Sequence, residues 1–412
     1  MTARAVMVLG TTSGAGKSWL ATALCRWYGR LGEIGSAQYF QALAARAAPE
    51  VRMNPVLRKP ENDSSSQVVV MGRVRADLAG VPWRERSARL WPFARDAPDA
   101  LMTENDVVVI EGAGSPAEIN VHTSDDVNMR TALHAKAACL LVTDIDRGGA
   151  FAHLFGTHPL LPAEERALIR GFVLNRFRGD ASLLAPGPQQ LHQLTGVPTL
   201  AVLPMWRGQS LPEEDGVFDD RATGARGGIQ VAVIAFPQIS KLDEFEPLRQ
   251  CCGVSWRWAR TPAELAGADW IVLPGSKHTG GEGRGLALLP IDTRFEPEKT
   301  LRRTPVRFDA PDGDWARLAG LAFDGCEIRC GRTEAEAGVA IVLRNDEGSP
   351  IGWQRGPVLG LYAHGLFESA DAMRALFGAE VRPLDAVFDG PADFIDARFE
   401  PASLLRLIQG QE

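Results

Sequence analysis

The residues that most constrain the fold stand at the start of the chain. Ala5 to Leu9 form a short apolar run, Gly10-Thr11-Thr12-Ser13-Gly14-Ala15-Gly16-Lys17-Ser18 follows, and Trp19 to Leu24 reads as a helix. A strand, a loop of small residues and a helix opening on Lys-Ser turn backbone N–H groups and a positive helix end toward phosphates. Lys17 then reaches the outer phosphates and the Ser18 hydroxyl a Mg²⁺ ion. The stretch is expected to hold a nucleoside triphosphate. Five residues separate Gly10 from Gly16-Lys17, one more than in the plain pattern.

Length and charge set the outer bounds. At 412 residues the chain exceeds what one core usually supports, which points to two domains. A net charge of −7 argues against a nucleic-acid footprint over the whole surface. The six cysteines, at 25, 139, 251, 252, 326 and 330, show neither C-x-x-C pairing nor a metal-like grouping with His, and read as reduced thiols. The amino terminus enters its first strand at once and no apolar run reaches membrane-spanning length, so the expectation is a cytoplasmic enzyme with no membrane and no nucleic-acid partner. The composition leaves a homo-oligomer open.

Beyond the first helix, Gly32-Glu33-Ile34-Gly35 leads directly into Ser36 to Ala48, which reads as helix. Helix follows helix with no clear strand between, a gap in a parallel α/β sheet. Met53 to Pro60 reads as a Pro-bounded loop, Gln67 to Met71 as a short strand, and residues 73 to 100 as helix. Asp106-Val107-Val108-Val109-Ile110-Glu111-Gly112-Ala113-Gly114-Ser115-Pro116 puts a carboxylate at the carboxyl edge of a buried strand, where ligands bind in open α/β sheets. Glu111 is then a Mg²⁺ ligand, direct or through water, or else an acid that merely ends a strand. Glu118, Asn120, Asp125, Asp126 and Asn128 form an acidic and amide cluster that reads equally as part of a site or as a solvated loop. Cys139 to Phe151 repeats the design with Asp144, Asp146 and Arg147, the arginine suited to counter an anionic substrate or a transferring phosphoryl group. Gly171 to Leu174 is a further strand ending in Asn175-Arg176-Phe177-Arg178, where an amide suits adenine recognition. Pro198 to Pro204 is a strand and turn, and residues 207 to 228 read as a linker.

The runs Gly10–Ser18, Gly32–Gly35 with Gln38 and Gln41, Met53–Pro60, Glu111–Asn120, Asp144–Phe151 and Asn175–Asp180 together resemble the cobyric acid synthase family, glutamine-dependent amidases of cobalamin biosynthesis. The longer phosphate loop resembles that of the dethiobiotin-synthetase-like branch. The resemblance implies that ATP activates side-chain carboxylates of a corrinoid substrate as acyl phosphates, and that ammonia from glutamine converts them to amides. It implies that Gly10, Thr12, Gly16, Lys17 and Ser18, with Asn175, hold ATP, that Ser18 and Glu111 hold Mg²⁺, and that Asp144, Asp146 and Arg147 lie near the reacting carboxylate. The family carries a second strand and a Lys-Pro-Gln-Asn-type loop after the first helix. Here Arg30-Leu31 runs straight into Gly32.

In the second half, Ile229 to Phe236 and Trp270 to Leu273 read as strands, the latter ending in Pro274-Gly275-Ser276-Lys277. With Leu359-Gly360-Leu361-Tyr362-Ala363-His364-Gly365 they resemble the family's class I glutaminase domain, in which His364 is the general base. A glutaminase also needs a cysteine on a sharp strand-to-helix turn. No such turn exists: the chain passes from Ser276-Lys277-His278-Thr279 through Gly280 to Gly285 and on to Leu286, where the family has a further unit bearing the nucleophile. Cys326 and Cys330 are the candidates for a substitute.

The expected fold is therefore a P-loop parallel-sheet α/β domain over 1–222, followed by a shortened flavodoxin-like, class I glutamine-amidotransferase-like domain over 228–412. The expected activity is ATP-dependent amidation of corrin carboxylates, converting adenosylcobyrinic acid diamide to cobyric acid, with ammonia from glutamine or from outside. The alternative is a catalytically impaired relative that binds nucleotide or corrinoid.

Overall fold

The computed structural model describes residues 4–32, 34–36, 39–62, 65–78, 80–206, 228–235, 239, 242–275, 286–378 and 384–409. The chain divides into two compact units, Met1–Leu211 with Asp385–Glu412, and Pro212–Leu384.

The first unit begins with β1 (Arg4–Gly10), α1 (Lys17–Gly29), β2 (Ile34–Ser36) and α2 (Tyr39–Ala44). A small antiparallel sheet of β3 (Val56–Asn62), β4 (Ser65–Val70) and β5 (Arg73–Val74) follows, then α3 (Trp83–Glu104), β6 (Val107–Glu111), α4 (Met129–Ala135), β7 (Ala138–Asp144), α5 (Ala150–Leu160), α6 (Ala163–Arg166), β8 (Ile169–Phe177), α7 (Gly187–Thr195) and β9 (Thr199–Pro204). Among the described residues the main sheet is parallel, in the order β2-β6-β1-β7-β8-β9. Its central strands are Val-, Ile- and Leu-rich and buried almost throughout, as strands covered on both faces must be. The chain builds out from β1 to one side through β2 and β6, then crosses to β7 on the other. The loop after β1 thus leaves the sheet where strand order reverses, the usual place for a ligand crevice.

Three local expectations change. The stretch 73 to 100, read as helix, opens with the strand Arg73–Val74, and its helix runs from Trp83 to Glu104. A strand does follow α1: Ile34–Ser36 pairs parallel with β6, Ile34 opposite Val107 and Ser36 opposite Val109. Three residues at a sheet edge are too few to show a period in the sequence, and the backbone pairing makes the strand; the helix after it is Tyr39–Ala44, shorter than the expected Ser36–Ala48. The Pro-bounded stretch before residue 60 is likewise strand in part, with Val56 opposite Val70 and Leu57 opposite Val69. Pro60 is tolerated because β3 is the outer strand of its sheet, where a missing N–H forfeits no ladder bond.

The second unit holds β10 (Ile229–Ile234), α8 (Glu246–Gln250), β11 (Val254–Ala259), β12 (Trp270–Val272), β13 (Ile291–Phe308), β14 (Ala322–Ala335), β15 (Ala340–Asn345), β16 (Pro350–Arg355), β17 (Val358–Leu361), β18 (Ala363–His364) and α9 (Ala370–Phe377). Among the described residues, a parallel sheet β11-β10-β12 and an antiparallel sheet β17-β16-β15-β13-β14-β18 share one core, in which Val231, Val233 and Trp256 meet Val306, Phe308 and Leu343.

The chain then returns to the first unit as α10 (Leu384–Asp396) and α11 (Ser403–Gln409), whereas the sequence reading ran the second domain to 412. Side chains explain the return. Asp389 and Asp393 stand one turn apart on α10 and take Arg30, just past the end of α1, at 2.8 and 2.7 Å, while Asp389 also takes the buried Arg26 at 3.0 Å. Trp27 donates its indole N–H to Asp396 at 2.7 Å, and the Tyr28 hydroxyl donates to the Leu404 carbonyl at 2.7 Å. Past α10, Phe399 bridges Ala201 and the Glu400 N–H donates to the Leu200 carbonyl, which covers the outer edge of β9.

Candidate active site

The loop between β1 and α1 is fixed at several points. The Thr11 N–H donates to the Val142 carbonyl at 2.9 Å and its hydroxyl to Thr143 Oγ1 at 2.9 Å, which ties the loop to β7. Gly16 has φ +96°, in the left-handed region, and a Cβ there would lie 2.1 Å from Asn175 Nδ2. Only glycine satisfies both constraints. Asn175 donates Nδ2 to the Ala15 carbonyl at 3.0 Å, so this nitrogen supports the loop.

Lys17 is buried, its ammonium held by the Thr12 carbonyl at 3.4 Å and the Gly114 carbonyl at 3.3 Å. Burial pushes its pKa below the usual lysine range, and the charge of Glu111 partly opposes this. Ser18 donates its hydroxyl to Glu111 Oε1 at 2.6 Å, and Gln41 donates Nε2 to Oε2 at 2.8 Å. The turn after Glu111 is held by Asn128, which accepts from the Ala113 N–H at 3.0 Å and donates to the Ala113 carbonyl at 2.9 Å. Gly112 is needed here, since a Cβ would sit 2.4 Å from Asn128 Oδ1.

Much of the acidic cluster after Glu111 is thereby structural. Asp125 accepts from the Val127 and Asn128 N–H groups at 3.0 Å, and the buried Asp126 meets Arg58 at 2.7 Å. Burial raises the Asp126 pKa, with Arg58 pulling the other way. Glu118 and Asn120 are exposed.

Asp144 is 4 % exposed at the end of β7. It accepts from the Asp146 N–H at 3.0 Å and from Arg176 at 3.0 Å, and forms an ion pair with Arg147 at 3.3 Å. Asp146 takes Arg178 Nε at 2.7 Å. Arg147 is 61 % exposed, and its guanidinium lies over the phosphate loop, 3.2 Å from where a Gly14 Cβ would stand. The ten residues expected around ATP, metal and substrate in the first unit thus converge on the carboxyl ends of β1, β6, β7 and β8. Gln41 and Arg176 join them, and neither was assigned a role by spacing alone. Beside them is a cavity of about 440 Å³ lined by Phe177, Arg178, Gly179, Ala181, Val202, Pro204, Met205 and Arg398.

The donors around Glu111 fit a magnesium ion. Hard oxygens from one carboxylate and one hydroxyl stand 2.6 Å apart, and the buried Gln41 Oε1 has no hydrogen-bond partner among the described residues. Mg²⁺ takes few protein ligands and completes its shell with water and phosphate oxygens. Among the described residues no cluster of three or more His, Cys, Asp or Glu is arranged to hold a metal without such help.

In the second unit, His364 Nδ1 meets Glu244 Oε2 at 2.7 Å, and Glu244 Oε1 accepts from the Gly365 N–H at 2.9 Å. A carboxylate on Nδ1 directs Nε2 outward as the free nitrogen, the arrangement of a general base and its orienter. No spacing in the sequence marks Glu244, because 120 residues separate it from His364. His364 pairs with Cys326 across β18 and β14. Cys330 lies four residues further along, about 13 Å at strand rise. Glu327 beside Cys326 is fully buried; burial acts to raise its pKa, and hydrogen bonds from Asn345, Arg329 and Arg302 outweigh that and hold it low. Glu33, Gln38 and Ser276 to Gly285, which carried parts of the sequence argument, lie outside the described residues.

Family models match in both halves: an AAA domain over residues 4–210 and a CobB/CobQ-like glutamine amidotransferase domain over 279–372. The chain is 60 % identical to a cobyric acid synthase from Methylibium petroleiphilum over 496 positions, covering 100 % of this chain and 98 % of that protein. It is 54 % identical to one from Leptothrix cholodnii over 502 positions, with coverage of 100 % and 98 %, and 55 % identical to one from Variovorax paradoxus over 484 positions, with coverage of 99 % and 100 %. Because the first alignment spans 496 positions and the chain has 412 residues, at least 84 positions of that relative face no residue here. Likeness to solved structures is low, with a TM-score of 0.32 and 13 % identity to PurLQS from Thermotoga maritima over 37 % of this chain and 98 % of that one. On its full-length identity to these relatives, the chain belongs to the cobyric acid synthase family.

Proposed function

We propose that this chain is an ATP-dependent amide ligase that amidates corrin side-chain carboxylates, taking adenosylcobyrinic acid diamide to cobyric acid, and that it draws ammonia from solution or from a partner. A corrin carboxylate attacks the γ-phosphoryl group of ATP, ADP leaves, and the acyl phosphate so formed is opened by ammonia with loss of phosphate. The protein contributes position and charge. Lys17 neutralises the outer phosphates. Ser18 and Glu111, with Gln41 behind them, would hold Mg²⁺, which supplies charge neutralisation at the phosphates. Arg147 moves from Asp144 to the transferring phosphoryl group, and Asp144 keeps Arg176 as its counterion when it does. Asp144 and Asp146 thus act through arginines and move no proton.

The observation that carries this reading is the convergence of Lys17, Ser18, Glu111 and Arg147 on one edge of the sheet. The reading of external ammonia is supported by the sequence, in which no cysteine stands on a nucleophile turn. Cys326 lies within a strand whose backbone is engaged in pairing, so it lacks the free N–H donors that an oxyanion requires. The test is mass spectrometry of the corrin after incubation with Mg-ATP and a cobyrinic acid diamide, with glutamine in one tube and ammonium in the other. Amides formed only with ammonium support the proposal; amides formed with glutamine alone refute the loss of glutaminase activity. The missing 84 or more positions favour a second reading, an impaired relative that binds nucleotide or corrinoid, and no product in either tube would select it.

A further inference from the structure

The cavity beside the phosphate loop has one wall from a distant part of the chain. Asn175, which touches the loop at Ala15, stands two residues before Phe177 at the end of β8, where Arg176 takes φ +60° and the pairing with β9 is irregular. From Phe177 the cavity runs along Arg178 to Ala181 and the end of β9 at Val202, Pro204 and Met205, and Arg398 closes it. Arg398 belongs to the segment that returns to the first unit after the second has been traversed. Its guanidinium is placed by Phe394, 5.2 Å from the ring centroid. Phe394 meets Trp206 at 5.0 Å and Trp19 at 5.8 Å, and Trp19 follows Ser18 on α1. A row of aromatic rings thus connects the start of the phosphate-loop helix to Arg398.

The volume, about 440 Å³, is in the range of small-ligand pockets. The lining is apolar on β9, aromatic at Phe177, and planar and cationic at two arginines. Guanidinium groups stack on flat π systems, and a purine offers one. Arg178 is engaged with Asp146; Arg398 is exposed at the rim, where it donates a long hydrogen bond of 3.5 Å to the Ala397 carbonyl.

We propose that Arg398 is a nucleotide-binding residue that stacks on the purine of ATP, so that the carboxyl-terminal return completes a site otherwise built from residues 10 to 205. This rests on the reading of the phosphate loop as an ATP site. The experiment compares two ligands that share phosphates and differ in the base, Mg-ATP and Mg-tripolyphosphate, by titration calorimetry on the full chain. Arg398→Ala is expected to weaken Mg-ATP about three- to tenfold and to leave tripolyphosphate unaffected. Arg398→Lys keeps the charge and loses the plane, and is expected to show the same selective loss, which covers an alanine variant that folds poorly. Equal losses for both ligands, or none for either, would overturn the assignment. A wild-type protein that binds neither ligand refutes the ATP reading itself, and with it the role of Arg398.

Discussion

Gly16→Ala tests the packing of the phosphate loop in a way that separates two costs. The first is conformational: φ of +96° costs an L-residue roughly 1–2 kcal/mol. The second is steric. The new methyl would stand 2.1 Å from Asn175 Nδ2, so the amide must move and abandon the Ala15 carbonyl it now meets at 3.0 Å. Leaving buried polar groups unpaired costs about 1–3 kcal/mol. The sum predicts a loss of about 2–5 kcal/mol, large against a marginal native stability. Asn175→Ala alone forfeits the hydrogen bond but relieves no strain. In Gly16→Ala/Asn175→Ala the hydrogen bond is lost once and the clash is gone, so the double variant should be more stable than the sum of the singles by about 1–2 kcal/mol. The assay is denaturant unfolding of all four proteins, reading the transition that Mg-ATP shifts upward, since ligand stabilises only the unit that binds it. Additivity within about 0.5 kcal/mol would show that Gly16 and Asn175 do not press on one another and would refute the reasoning.

Burial holds the Lys17 pKa low, so above that pKa the folded apo protein binds fewer protons than the unfolded chain. Stability withheld by the buried ammonium is therefore regained as pH rises toward the unfolded lysine value near 10.4. Lys17→Met is expected to raise apo stability at neutral pH while abolishing Mg-ATP binding, and a melt that falls in the absence of nucleotide would contradict this. In the wild type, phosphates restore the charged form, so calorimetry at alkaline pH in buffers of different ionisation enthalpy should register proton uptake on Mg-ATP binding; proton release would be the wrong sign. Glu111→Gln leaves Ser18 without its carboxylate and should raise the Mg²⁺ requirement of turnover at least about 10–100-fold, so an unchanged Mg²⁺ titration would remove Glu111 from the metal site. Asp389→Ala removes the carboxylate facing the buried Arg26, and because Asp389 is 40 % exposed the expected loss is discounted to about 1–2 kcal/mol; Asp371→Ala, whose pairing with Arg374 is exposed on both sides, should change little. Equal effects of the two would deny α10 its part in anchoring α1.

What could be read from the sequence was whatever a local pattern encodes. Strands β1, β6 and β7 are apolar runs closed by glycine-rich turns, and Lys17, Ser18, Glu111 and Arg147 follow from their positions at those closures. What could not be read depends on long-range pairing. The strand at Ile34–Ser36 exists because β6 lies beside it, and Glu244 becomes the partner of His364 only when a strand and a helix from opposite ends of the unit are packed together. The return of residues 385–412 was half-legible: Asp389, Asp393 and Asp396 lie on one helical face, and Arg26 and Arg30 on another. Charge alone does not say which helix answers which, so a boundary drawn from sequence order ran through to the end of the chain. Asn175 was seen at the right edge of the sheet, but its contact with Ala15 depends on how closely the loop comes to β8.

The proposal of external ammonia turns on the surroundings of His364 in the second unit. Glu244 fixes His364 through Nδ1 and at the same time ties down the Gly365 N–H, so the imidazole is oriented at the end of β18 without help from a thiol. The thiol opposite it, on Cys326, is held in mid-strand between Gly325, where a Cβ would press Val306 and Ala363, and the buried Glu327. Glu327 is bound by two arginines and an asparagine, which anchors the strand there and resists the sharp, strained turn that exposes a nucleophile beside free N–H donors. General-base assistance acts on a nucleophile already in position, and contributes about 10²–10⁴-fold to a step that must first be possible. On the proposed reading, a base without that turn would leave glutamine hydrolysis no covalent route through His364. Under the proposed ligase function the nitrogen then has to arrive as ammonia, and the rate should follow the unprotonated fraction of added ammonium as pH is raised.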